Sequence, residues 1–200
     1  MTIFDRLLEA QQLLGKNREA ALSPEEKKRY QLAMDALWFV WSNGQAYAFE
    51  DYLKDSEAQA PHRVIAAFNT RDEADAWLKT QSRPPDLALV LIGDAYHIVL
   101  SSKDGARCAL VPDSDMEYHL EELMKAGVPA PEATFPTREE AMAWFNRQTE
   151  PAAQTVLQIA GANYLAVYYR NLQHRALFPF TLVERLHERR RRREREGQGE

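Results

Sequence analysis

One cysteine in 200 residues, Cys108, rules out an intrachain disulfide and a multi-cysteine metal cluster, and a reducing compartment fits best. Glycine is scarce too, at eight residues, too few for tight phosphate cradles. Neither Gly-x-Gly-x-x-Gly, a Gly-Lys-Ser/Thr loop, Gly-x-Ser-x-Gly nor His-Glu-x-x-His occurs. His62, His97, His119, His174 and His187 are scattered, with no two on one helical face at ligand spacing, so no metal and no cofactor is expected. No apolar run approaches the roughly 18 residues of a membrane span, and Met1 to Arg6 has no basic segment leading into an apolar one. The sequence therefore reads as cytoplasmic and unprocessed, with no membrane partner.

Apolar residues make up 45% of the chain, enough for a real core. The net charge of -5 argues against a body that coats nucleic acid or anionic membrane. Residues 185–200 depart from this, with seven arginines against four glutamates, so a basic tail follows an acidic body.

Near the start, Ile3, Phe4, Leu7, Leu8 and Leu14 recur at helical spacing. Ser23-Pro24-Glu25-Glu26 is a helix-opening signal with a capping box. The helix it opens carries Tyr30, Met34, Leu37, Phe39 and Val40 to a stop near Gly44. A third short helix is expected around Phe49 to Leu53.

The rest is a duplication. Phe68 to Ile92 matches Phe135 to Ile159 at a constant offset of 67, with ten of 25 positions identical, including Phe68/Phe135, Thr70/Thr137, Arg71/Arg138, Glu73/Glu140 and Trp77/Trp144. One inserted residue at Ala160-Gly161 then pairs Gly93 with Gly161, Tyr96 with Tyr164, Val99 with Val167 and Cys108 with Ala176. Each copy predicts a short strand (63–68; 133–135), a Thr-x-x-Glu capping box, and a helix limited by Pro84 or Pro151. A hairpin follows (87–92 with 96–101; 155–159 with 164–169), then a fourth strand (106–111; 175–178). Ser114 and Glu117 frame a capping box for a connecting helix, and Thr181 and Glu184 open a last one.

The expected fold is α+β: two tandem β-α-β-β(-β) repeats with antiparallel sheets, pseudo-twofold, plus N-terminal helices and a C-terminal helix. The segments are 1–57 helical, 62–112 first repeat, 113–128 connecting helix, 131–180 second repeat and 181–200 C-terminal helix with the Arg-rich tail. Leu87 to Ile92 is apolar on both faces, so its outer side needs cover, and the N-terminal helices are expected to supply it through Leu7, Leu14, Leu37 and Val40.

No catalytic residue is assigned. Tyr164, Tyr168, Tyr169 and Arg170 are the candidate interface, because tyrosine and arginine bury large areas while keeping a polar end; the competing reading is that they rim the core. Arg189, Arg190, Arg191, Arg192 and Arg193 are candidates for nucleic-acid contact, although glutamates at helical spacing equally suit a self-paired, solvated helix. His97, beside Asp94 and Tyr96, is the one local group resembling acid-base equipment, and Cys108 reads as a buried, inert thiol.

The stretch Ala67-Phe68-Asn69-Thr70-Arg71-Asp72-Glu73-Ala74-Asp75-Ala76-Trp77-Leu78, with the hairpin through Tyr96, resembles the strand-helix-strand half of SPOR-type peptidoglycan-binding domains. The opening Ile3 to Ala10, the Phe49-Glu50-Asp51-Tyr52 segment and both Thr-Arg-(Asp/Glu)-Glu-Ala helices are similar to uncharacterised myxobacterial proteins, some labelled "head protein", a likeness that implies no activity. The expectation is a non-enzymatic interaction or structural module whose partner is an unidentified protein or a second copy in a homodimer. The alternatives are a nucleic-acid accessory protein using the tail and an enzyme centred on His97.

Overall fold

The computed structural model describes residues 1–102 and 108–197, with side chains described as far as Arg192. Two compact units are present, Met1–Glu57 and Ala58–Glu200. The first consists of α1 (Ile3–Ala20), α2 (Pro24–Ser42) and α3 (Ala46–Glu57). Thr2 and Asp5 form a reciprocal capping box on α1, and Ser23 accepts the Glu26 amide ahead of Pro24. Gly44, at φ +68°, carries the chain out of α2. Ile3, Leu7 and Ala46 are the buried centre of this unit, ringed by Phe4, Leu37, Trp41, Phe49 and Leu53.

The second unit repeats one element order twice. The first copy comprises β1 (Ala67–Phe68), α4 (Arg71–Thr80), β2 (Leu89–Ile92), β3 (Ala95–Ser101), β4 (Cys108–Pro112) and α5 (Asp115–Ala126). The second comprises β5 (Ala133–Phe135), α6 (Arg138–Asn146), β6 (Gln154–Ile159), β7 (Ala162–Tyr169), β8 (His174–Pro179) and α7 (Leu182–Gly197). Each copy is a four-stranded sheet in sequence order, so the fold is α+β. The sheets are antiparallel except at their first pairing, where β1 runs parallel to β2 and β5 to β6. A helix between two neighbouring strands carries the chain back to its starting end, which makes that pair parallel. Ala106 and Arg107, expected to begin the fourth strand, lie outside the described residues.

The offset of 67 never changes. Ile92 pairs with Ala95 and Ile159 with Ala162, so both hairpins close through two residues and no residue is inserted. Gly93 alone has positive φ in the first turn, whereas Ala160 and Gly161 both do in the second. These are the sign patterns of type II′ and type I′ turns, which place glycine differently in loops of equal length. The residue inserted at Ala160-Gly161 when the two glycines are matched is thus absent from the strand pairing. Tyr96 is therefore equivalent to Asn163, His97 to Tyr164, Ser102 to Tyr169, and Cys108 to Arg175.

The shared residues have shared work. Phe68 meets Trp77 at 5.4 Å and Phe135 meets Trp144 at 5.6 Å, both at 47°. Thr70 and Thr137 cap their helices, Thr70 reciprocally with Glu73. Arg71 and Arg138 each donate to a carbonyl of the last strand, Leu110 at 2.9 Å and Leu177 at 3.3 Å, tying helix to sheet edge. The trailing helices belong to the repeat as well, since α5 and α7 also begin 67 residues apart.

Three apolar layers hold this unit together. Ala74, Leu78, Val90, Val99 and Leu110 fill the space between α4 and the first sheet, and Ala141, Phe145, Leu157, Ile159, Ala166 and Leu177 do so for α6 and the second. Between the opposite faces of the two sheets lies the largest layer, where Leu91 and Tyr96 join Val156, Leu165, Val167, Tyr169 and Phe178, closed by Met116 and Leu120 of α5 and Leu182 and Val183 of α7. The cover for the doubly apolar β2 is thus the second copy's sheet. Leu7 and Leu37, expected to supply that cover, belong instead to the N-terminal unit's own cluster.

Candidate functional site

Strand alternation divides the tyrosine group of β7 between two faces. Tyr164 and Tyr168 lie half-buried against the α6 layer, while Tyr169, 2% exposed, points into the layer between the sheets. There its hydroxyl meets that of Tyr96 at 2.7 Å, and Tyr96 also bonds the His62 carbonyl at 2.9 Å. Burial pushes both phenols up from their usual value. Tyr169 is a joint between the copies and offers no surface to an outside partner. Tyr168 stays near the surface, with the Arg175 guanidinium 4.7 Å and that of Arg170 5.9 Å from its ring centre.

The arginine run is partly committed inside the fold. Arg189 donates to Glu117 at 2.6 Å, and Arg190 grips both oxygens of Glu121 at 2.6 and 3.0 Å while lying 5.4 Å from the Tyr118 ring centre. His187 and Lys125 also reach Glu121, at 3.0 and 3.1 Å. These bonds hold the Glu121 carboxyl down at about 2, with Arg190 the largest cause. Glu117 is consequently unavailable for the expected box with Ser114, whose side chain makes no capping bond. Arg191 and Arg192 are exposed, and the side chain of Arg193 lies outside the described residues.

The acid-base group expected around His97 is not assembled. Tyr96 and His97 project to opposite faces of β3, Asp94 is paired with Arg138 at 2.7 Å, and the His97 ring nitrogen contacts the Ala95 carbonyl at 3.2 Å. Cys108 is half-buried, not fully enclosed.

A cleft the sequence did not suggest lies beside α5, about 250 Å³ in volume, lined by Ala60, His62, Asp115, Tyr118, His119 and Glu122. His62 Nδ1 is 2.8 Å from both Asp115 oxygens. The Gln154 amide nitrogen donates to the carbonyls of Ala58 and Gln59, so its oxygen accepts from His119 Nε2 at 2.8 Å. Burial lowers the basicity of His119. Two oriented imidazoles result, but among the described residues no three His, Cys, Asp or Glu side chains could hold a metal. Among the described residues no serine, threonine or cysteine lines this cleft.

Among the described residues, most of the large apolar side chains left exposed belong to the N-terminal unit. Among the described residues none of α2 is fully buried. Its inner stripe, Met34, Leu37 and Trp41, is half-buried, but Leu32, Ala36 and Phe39 form a second stripe at i, i+4 and i+7 that faces outward. Leu32 is 72% exposed and Phe39 59%. Beside them a chain of rings runs from exposed Trp38 through Trp41 and Phe4 to exposed Tyr47, with neighbouring centroids 6.4, 5.4 and 5.6 Å apart. The sequence held the signal, because a helix apolar on more than one side needs more than one partner. Phe39, one of the apolar residues expected along this helix, belongs to the outer stripe.

No family model, curated protein or solved structure matches the chain.

Proposed function

We propose that the protein is a non-enzymatic interaction module that docks a protein partner through the outer face of α2. The observation that carries this reading is the stripe Leu32, Ala36 and Phe39 with Trp38 at its side. Leu32, Trp38 and Phe39 are large apolar groups close together on one helix and left in water. The i, i+4, i+7 spacing of the stripe is the pattern by which helices seat in apolar grooves, and tryptophan is enriched at the energetic centres of interfaces. Arg189 and Arg190, the nearest described candidates for nucleic-acid contact, already hold carboxylates of α5, which weakens the alternative role for the tail. A photo-crosslinking residue in place of Phe39 tests the reading in living cells. It should give discrete protein adducts that disappear when Leu32→Glu is added; a chain that forms no adduct there is not docking through α2.

A further inference from the structure

We infer that the occupant of this face is a second copy of the chain, with α2 packed antiparallel on α2 about a twofold axis passing between positions 35 and 36. The inference rests on the docking reading above and names its partner. The stripe is self-complementary under that operation. Leu32 and Phe39 stand equally far from the midpoint, about 5 Å along the helix on either side. Leu32 of each copy therefore faces Phe39 of the other, and Ala36, small enough to let two backbones approach, lies at the crossing.

Charge agrees with the same direction. The basic residues of α2, Lys27, Lys28 and Arg29, follow directly on Glu25 and Glu26 of its first turn, and its last turn has no basic residue. Antiparallel pairing sets Lys28 and Arg29 beside the last turn of the other helix, where the helix dipole is negative. A parallel pair would set these cations against each other.

Permanence also favours a second copy. A unit of this length, with a cluster of three buried residues, has little core of its own, and domains of about 60 residues are marginal even when well packed. Its cover has to be constant, and another copy is present wherever the chain is.

Sedimentation equilibrium of the purified full-length protein tests this. The wild type should be a dimer at micromolar concentration, and the double substitution Leu32→Glu with Phe39→Glu, both at exposed positions, should be a monomer with unchanged circular dichroism. In a Cys108→Ser background, Ala36→Cys should oxidise to a disulfide-linked dimer, while Leu22→Cys, exposed but off the face, should not. Asp35 is the one charge this axis sets near its own counterpart, so Asp35→Asn should tighten the dimer several-fold. A wild type that is monomeric at every concentration overturns the inference, while adducts at position 39 with a different protein would still uphold the docking reading. Leu32→Cys crosslinking to itself faster than Ala36→Cys, or Asp35→Asn failing to tighten the dimer, also overturns it.

Discussion

The two repeats share the residues that start each helix and brace it on its own sheet, and differ where the copies meet. The ring pair, the capped helix start and the arginine bonded to the last strand recur at the same spacing with nearly the same geometry. At the junction, Tyr96 stands opposite no tyrosine equivalent, since position 163 is Asn, and Tyr169 answers to Ser102. The trailing helices diverge at Arg189 and Arg190 of α7, whose counterparts in α5 are Glu122 and Leu123, while Glu117 and Glu121, which these arginines bind, keep glutamate counterparts at 184 and 188. A symmetric dimer of single repeats would have to place the same helix on both sides of its axis. Joining two copies in one chain removes that constraint, and an acidic helix can then face a basic one.

Equivalent positions should respond unequally at the junction and equally elsewhere. The largest contrast is between Phe178, fully buried between the sheets, and its counterpart Val111, which is 38% exposed. Phe178→Ala should destabilise the body by about 3–5 kcal/mol, as aromatic truncation in a core does, and Val111→Ala by under about 1 kcal/mol, measured by denaturant unfolding. Next come the half-buried tryptophans, where Trp77→Ala and Trp144→Ala should each cost about 2 kcal/mol, the same within error because each removes the same ring pair. Thr70→Ala and Thr137→Ala should each cost about 1 kcal/mol through loss of a cap. A pair of tryptophan or cap variants differing by more than a factor of two would show that the halves are less alike than their geometry.

These pairs also show what the sequence could disclose. Local instructions were legible: the Thr-x-x-Glu starts, the proline stops, the apolar hairpin strands and the doubled tryptophan helix all lie within a few residues of their effect. The register beyond the turn was not, because Gly93 and Gly161 invited alignment although they fill different positions of two equally short turns. The identities Ala109/Ala176, Leu110/Leu177 and Pro112/Pro179, all at offset 67, were the better guide. Which face of a strand meets which neighbour is a tertiary choice, so the sequence left Tyr169 open between an interface and the rim of the core, and did not disclose that the second sheet covers β2. The exposed stripe of α2 was hidden because Leu32, Ala36 and Phe39 interleave along the helix with the inner stripe of Met34, Leu37 and Trp41. The cleft at His62 and His119 was invisible because Ala58, Gln59 and Gln154 hold it together across about 95 residues.

The smallest effect concerns the ion pairs between α5 and α7, since their guanidiniums are well exposed and solvent screens them. Its direction is nevertheless fixed. The Glu121 carboxyl sits at about 2 in the folded protein against an ordinary 4.5, so as pH falls the unfolded chain takes up this proton first. The stability it confers is complete above about pH 5 and drains away between 4.5 and 2. Glu121→Gln has no carboxyl to protonate, and should flatten that part of the acid-unfolding curve followed by circular dichroism. Arg190→Gln should flatten it partly, because His187 and Lys125 still reach the carboxylate. Raised salt should mimic Arg190→Gln, as screening weakens exposed pairs. If Glu121→Gln and the wild type lose structure along the same acid curve, the opposed charges of the two helices do not fasten the copies together, and the asymmetry at the junction rests on Tyr96, Tyr169 and Phe178 alone.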